Sequence, residues 1–204
     1  MSYSDPVRIT GGTLRGRVIR IPGDKARLRP SQDRVREALF SILGECVVGC
    51  RFLDLFAGSG AVGLEAASRG AARVTWVERN ARSLGLLRRN IAALGCEGDA
   101  IRADAIAFLR RANEGERRFD IAFADPPYAL GGNRDTMERM LALGAGIVDS
   151  GGLFVLEQGG SAATGTCARW EPFDRRRYGD TKLTFYRRLE TAGDRTQEKG
   201  KGAA

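Results

Sequence analysis

Phe52-Leu53-Asp54-Leu55-Phe56-Ala57-Gly58-Ser59-Gly60 is the stretch that decides the fold. An apolar strand runs without a linker into a glycine turn. Val62, Leu64 and Ala66 then continue as a helix to Arg69, stopped by Gly70. A near-continuous apolar strand followed at once by a helix belongs to a parallel sheet covered on both faces. The same unit repeats downstream. Arg73–Glu78 (RVTWVE) predicts a strand, Ala81 to Leu94 a helix stopped by Gly95, and Ala100–Ala103 a short strand. A helix through Phe108 and Leu109 follows, then a strand at Phe119–Ala124, a helix at Met137–Leu143 and a strand at Gly152–Glu157. Lys182–Leu189 reads as a strand with no helix after it, so it is expected to return antiparallel. Strands alternating with helices give an α/β fold.

Upstream, Val7 to Pro22 alternates around Gly11-Gly12 and Gly16, which predicts a small hairpin. Ser31 or Asp33 caps a helix with Val35, Leu39, Ile42 and Leu43 on one face, ended by Gly44. The chain therefore divides into a basic hairpin-and-helix extension (1–44), an α/β domain (45–190) and a polar, flexible tail (191–204).

Composition removes several kinds of chemistry. The 204 residues include no histidine, which excludes histidine acid–base catalysis, Ser-His-Asp and Cys-His triads and nearly every catalytic zinc site. Cys46, Cys50, Cys96 and Cys167 form no C-x-x-C pair, so no metal is expected and the thiols are expected to be reduced. No apolar run approaches the roughly 20 residues that span a bilayer, and Met1 to Ile9 holds no apolar leader. The expected setting is the cytoplasm, with no membrane partner. The net charge is +8, and only Lys25, Lys182, Lys199 and Lys201 among the 33 basic residues are lysine. Arginine binds phosphate in bidentate fashion and stacks on bases, so a nucleic acid is a candidate partner. A GC-rich genome gives the same bias.

The glycine turn alone is weak evidence for a ligand, since a tight strand–helix turn needs glycine too. Two acids strengthen it. Asp54 lies inside the strand, where its carboxylate reaches over the turn. Glu78 ends the next strand, at the distance where doubly wound folds hold a ribose diol. Gly58, Gly60 and Gly63 match dinucleotide spacing, but a carboxylate at Asp54 sits awkwardly beside a pyrophosphate and suits an ammonium. S-adenosylmethionine offers an ammonium, a ribose and an adenine, and Asp104 is placed to accept from the adenine amine or to cap the helix that follows. Phe56, Ala57, Gly58, Ser59 and Gly60 complete the candidate cofactor set.

Asp125-Pro126-Pro127-Tyr128 follows the fourth strand read from the residues. Two prolines remove two N–H donors and leave an acceptor-rich turn. Such a turn suits a planar exocyclic amine, and Tyr128 adds a face on which a base can stack. Without a ligand it is a rigid strand-end turn. All these residues fall at predicted carboxyl ends of strands, where open parallel sheets bind ligands.

DLFAGSG (54–60) resembles the cofactor loop of class I S-adenosylmethionine-dependent methyltransferases, and DPPY (125–128) their amino-group motif. Arg8-Ile9-Thr10-Gly11-Gly12, Arg15-Gly16-Arg17 and Leu28 to Phe40 (LRPSQDRVREALF) resemble the RsmD family, from about Val7 through Leu189. Ser31 and Ser41 stand where that pattern has threonine and asparagine. The resemblance implies a Rossmann-like, mostly parallel seven-stranded sheet with one antiparallel strand, and an enzyme that methylates N2 of a guanine in 16S rRNA. It implies Asp125, Pro126, Pro127 and Tyr128 as catalytic residues, and no metal. It also gives the basic arm a role: Arg8, Arg15, Arg17, Arg20, Arg29 and Arg34, with Arg27 and Arg36 beside them, hold RNA. Arg175-Arg176-Arg177-Tyr178 is a second basic–aromatic cluster. The implied partner is 16S rRNA or the assembled small ribosomal subunit, met by a monomer. An amino-methyltransferase acting on DNA and a non-catalytic RNA-binding assembly factor are the alternatives.

Overall fold

In a computed structural model, residues 7–21, 30–115, 117–127, 133–159, 165 and 167–190 are described. Seven strands form one sheet: β1 (Arg51–Leu55), β2 (Arg73–Val77), β3 (Gly98–Ile101), β4 (Phe119–Ala124), β5 (Val148–Gly159), β6 (Trp170–Tyr178) and β7 (Thr181–Arg188). Their order is β3-β2-β1-β4-β5-β7-β6. β1 through β5 pair in parallel, and β7 is antiparallel to both β5 and β6. The expected seven strands with one antiparallel member are therefore present. Chain order reverses between β1 and β4, which opens a crevice at their carboxyl ends.

Helices cover both faces. They are α1 (Pro30–Leu43), α2 (Ala61–Ser68), α3 (Ala81–Leu94), α4 (Ala105–Glu114) and α5 (Arg134–Gly144). Phe52, Val74, Trp76, Ile121, Phe123 and Val155 face one core, shared with Leu39 and Phe40 of α1 and with Val7, Ile9 and Ile19 of the N-terminal segment. Leu53, Leu55, Ala122, Phe154 and Leu156 face the other, with Phe108 of α4 and Met140 of α5. Alternate residues of each central strand thus serve opposite cores, which is why those strands read as unbroken apolar runs.

The N-terminal hairpin is small. Arg8 and Val18 form an isolated antiparallel bridge, and Ile9 N–H donates to the Arg17 carbonyl at 3.0 Å. Its docking is specific. Thr10 N–H (2.8 Å), Thr10 Oγ1 (2.8 Å) and Gly11 N–H (2.7 Å) all donate to Glu65 of α2, whose side chain is fully buried. Arg36 of α1 and Arg69 donate to the same carboxylate at 3.3 and 2.9 Å. Gly12 lies at φ +75°, and a Cβ there would stand 1.9 Å from the Ser68 carbonyl oxygen. Only glycine lets the hairpin turn lie this close to α2.

Three elements differ from the sequence reading. β6 was not read from the residues. Its sequence WEPFDRRRY is exposed along most of its length and contains Pro172, so it has neither alternation nor an apolar run. β3 begins two residues earlier than predicted, at Gly98. A Cβ at Gly98 would lie 2.0 Å from the Val74 carbonyl oxygen, so this glycine permits strand pairing where it was read as a loop. β5 extends beyond Gly152–Glu157 on both sides. No helix among the described residues is long and apolar enough to cross a membrane.

Candidate active site

The carboxyl ends of β1, β2, β4 and β5 open on a cavity of about 630 Å³. That volume is in the range of small-molecule and cofactor sites. Asp54, Phe56 to Ser59, Glu78, Asp125, Pro126 and Pro127 all line it. Residues separated by up to 73 positions therefore meet at one place, as their strand-end positions predict.

Asp54 is 2% exposed, and its Oδ2 accepts from Gly63 N–H at 2.9 Å. Gly60, the N-cap of α2, has no side chain to offer, so Asp54 satisfies the helix's free N–H from the strand below. Gly63 also sets the helix's distance from the sheet, since a Cβ there would meet Trp76 Nε1 at 2.1 Å. Gly60, at φ +87°, does not line the cavity but leaves room for Leu87. Phe56 is the one non-glycine described residue at positive φ (63°), at the point where the chain leaves β1.

Glu78 ties the glycine loop to the next turn. Its Oε2 accepts from Gly58 N–H at 2.9 Å and its Oε1 from Asn80 N–H at 2.6 Å. A carboxylate has about four acceptor positions, so two remain for a ligand. Asp104 caps α4, accepting from Ile106 and Ala107 N–H at 3.0 and 3.1 Å. Its neighbours Ala103 and Ala105, rather than Asp104 itself, line the cavity.

At the acceptor end Pro126 is buried while Asp125 and Pro127 are exposed. Tyr128 and Arg29 lie outside the described residues. Glu157, Gln158 and Thr181 line this end as well, and the sequence reading missed all three. Glu157 satisfies the strand-end rule used for Asp54 and Glu78, so that rule, applied to the fifth strand, finds it. From the opposite side Gln32, Arg36 and Leu39 of α1 complete the wall.

Two carboxyl groups here, Asp54 and Glu157, are poor at holding charge. Burial first, then the nearby Asp125 and Glu78, push Asp54 up to about 7 against the pull of the Gly63 hydrogen bond. Burial and then Asp125 raise Glu157 as well. The folded chain thus binds more protons at these two groups than the unfolded chain does. Ligand-free stability is expected to fall as pH rises from about 4 through neutrality. Asp120 behaves oppositely. Its bond to Arg51, bidentate at 2.7 and 3.0 Å, holds it below the usual carboxylate range, so its stabilisation is lost only in acid. Calorimetric melting at a series of pH values checks this, and Asp54→Asn should flatten the neutral limb.

Of the predicted RNA-facing arginines, Arg8, Arg15, Arg17, Arg20 and Arg34 are exposed. Arg36 is not available. It is 6% exposed and engaged with Glu65, Asp33 and the Arg8 carbonyl. Among the described residues no cluster of histidine, cysteine or acidic side chains is arranged to hold a metal.

The Escherichia coli K12 protein named ribosomal RNA small subunit methyltransferase D is 44% identical over 132 residues, a segment covering 64% of each chain. The alignment thus takes in a little under two thirds of that relative's length. The solved structure of yhhF from Escherichia coli superposes with TM-score 0.78 at 32% identity, covering 92% of this chain and 100% of that one. The Thermus thermophilus 16S rRNA N2 G1207 methyltransferase RsmC, solved with AdoMet and guanosine, gives TM-score 0.65 at 27% identity, covering 80% of this chain and 44% of that one. A family model described as conserved hypothetical protein 95 matches residues 7–187, and with these relatives it places the chain in that family, the RsmD family that its N-terminal motifs resemble.

Proposed function

We propose that the protein transfers a methyl group from S-adenosylmethionine to the exocyclic N2 of a guanine in 16S rRNA. One observation carries the reading: Asp54, the Gly58 loop and Glu78 share a cavity with the acceptor-rich Asp125-Pro126-Pro127 turn. The donor set fits the cofactor. Glu78 keeps acceptor positions for ribose hydroxyls, and Asp54 is a buried carboxyl facing the acids Asp125 and Glu78, with no ion pair to a described residue. A bound ammonium supplies a cation there. S-adenosylmethionine brings an activated methyl whose leaving group is a neutral thioether.

The chain's own work is positioning. The guanine N2 lone pair is delocalised into the ring. The Asp125 carboxylate and the Pro126 carbonyl accept the two amine hydrogens and aim that lone pair at the methyl. Pro126 and Pro127 hold both acceptors rigidly, because their φ angles are fixed. Tyr128 stacks on the base. A strong base is not required, because the methylated nitrogen is acidic and gives up its extra proton after transfer, to the Asp125 carboxylate or to water; most of the acceleration comes from orientation and from acceptors already in place. A stacked guanine must first be turned out of its helix.

Arg8 meets α1 through Arg36, and Arg17 and Arg20 meet α3 at Ala93 and Asn90; the exposure of these arginines supports a role in holding RNA phosphates. Charge reversal at Arg15, Arg17 and Arg20 together is expected to weaken RNA binding by at least about tenfold and to flatten its salt dependence. Filter binding across a salt series checks this, and an unchanged slope removes the hairpin from the interface. Glu78→Ala is expected to weaken cofactor binding by about 10- to 100-fold, the loss of one or two charge-assisted hydrogen bonds. Calorimetric titration with the cofactor measures it.

In cells, deletion of the gene should remove one N2-methylguanosine from 16S rRNA, and restoring the gene should return it. Nucleoside mass spectrometry that finds the modification intact in the deletion strain contradicts the assignment.

A further inference from the structure

The cavity is wider than its cofactor half. Glu78 follows the last residue of β2 and Glu157 stands two residues before the end of β5, and the strand order between them is β2-β1-β4-β5. Three strand spacings separate these ends, about 14 Å. The glycine loop, Asp54 and Glu78 occupy the β2–β1 half. Asp125, Pro126 and Glu157 occupy the β4–β5 half.

Register places Glu157 beside Asp125. Ala124 of β4 pairs with Leu156 of β5, and Asp125 and Glu157 are each the next residue. Val155 belongs to the same core as Phe123 and Phe52, so Glu157, two residues on, rises from the sheet face that carries Asp54. It is half-buried and lines the cavity. Burial and the neighbouring Asp125 hold its carboxyl well above the usual range, so it is not a standing charge that only water could satisfy.

A guanine delivered here by N2 brings a second donor with it, since N1–H adjoins the amine on the same edge. Once the base is enclosed, that N–H loses its water and needs an acceptor. We infer that Glu157 is a specificity residue for the acceptor base: its carboxyl accepts guanine N1–H beside the N2 amine held at Asp125 and Pro126. A carboxyl oxygen can accept in either protonation state, and the protonated form can also donate to O6. The inference rests on the guanine reading above and adds the group that recognises the ring.

The test uses the full-length protein and RNA carrying either guanine or 2-aminopurine at the acceptor position. 2-Aminopurine keeps the N2 amine and lacks N1–H and O6. Single-turnover rates are measured for wild type, Glu157→Leu and Glu157→Gln, with cofactor titration as a control. Wild type is expected to prefer guanine by about 10- to 100-fold. Glu157→Leu should bring that ratio close to one with cofactor affinity unchanged. Glu157→Gln, which keeps a carbonyl in place, should retain the preference. Three results overturn the inference: no preference in wild type, an undiminished preference in Glu157→Leu, or a lost preference in Glu157→Gln. If Glu157→Leu does not fold, Glu157→Ala, which also lacks the acceptor, takes its place with the same expected and overturning results. If wild type forms no N2-methylguanosine in any RNA, the guanine reading itself fails, an outcome distinct from methylation without discrimination.

Discussion

Asp125→Ala is expected to reduce the single-turnover rate by about a thousandfold while leaving the cofactor dissociation constant within a few-fold of wild type. The argument is geometric. Removing the carboxylate takes away one of two acceptors for the amine and leaves its lone pair unaimed, a loss comparable to deleting one oriented donor from an oxyanion hole. The cofactor's own partners, Asp54, Glu78 and the Gly58 loop, lie on β1 and β2 and do not depend on it. Asp125 is also exposed, so its removal opens no cavity in the core. Equilibrium titration and single-turnover kinetics on the same preparation separate the two effects. Loss of cofactor binding in this variant contradicts the division of roles across the cavity.

Glu65→Ala is the second large effect, and it acts on stability. The buried carboxylate accepts from two backbone N–H groups, one hydroxyl and two guanidinium groups. Truncation removes the buried counter-charge of Arg36, itself nearly buried, leaving it only the partly exposed Asp33, and leaves Thr10 and Gly11 without acceptors. Breaking a buried pair in this way costs about 3–5 kcal/mol. For a chain of this size that lowers the melting midpoint by about 10 °C. Glu65→Gln should fall between, because it keeps one acceptor oxygen and the side chain's volume but loses the second acceptor and the charge. The consequence reaches function through α2, whose first turn is the glycine loop and whose last turn holds the hairpin. RNA affinity should drop more than cofactor affinity, since the hairpin is what comes loose. Melting followed by the two titrations tests both parts, and a variant as stable as wild type shows that the docking contact is not what holds the hairpin.

Burial explains which parts of the fold were legible. β1, β2 and β4 are covered on both faces, so their sequences are predominantly apolar and their boundaries come within a residue of the sequence reading. β6 lies at the sheet's edge, is exposed along most of its length and bears its arginines on exposed positions, so neither alternation nor an apolar run announces a strand. Gly98 looked like a loop because glycine usually breaks strands, and here close strand approach demands it.

The site was legible where chemistry and position coincide. Asp54, Gly58, Glu78, Asp125 and Pro126 were each odd in composition for a strand end, and the parallel topology brings them together. Arg36 was misread because eight arginines in one stretch look alike until packing selects one. Only the contact with Glu65, 29 residues away, shows that this arginine is structural. Gln32, Gln158 and Thr181 enter the cavity through tertiary packing alone, and no local pattern in the sequence marks them.

The central claim is the chemistry at the β1–β4 crevice, and methyl transfer from isotopically labelled S-adenosylmethionine measures it most directly. The acceptors are undermethylated 16S RNA and small ribosomal subunits, with mass spectrometry of the digested nucleosides. The account predicts label in N2-methylguanosine, lost in Asp125→Ala, and a comparison of the two acceptors shows whether ribosomal proteins help form the substrate. Label in N6-methyladenosine, or no transfer to either acceptor while the cofactor still binds, contradicts it.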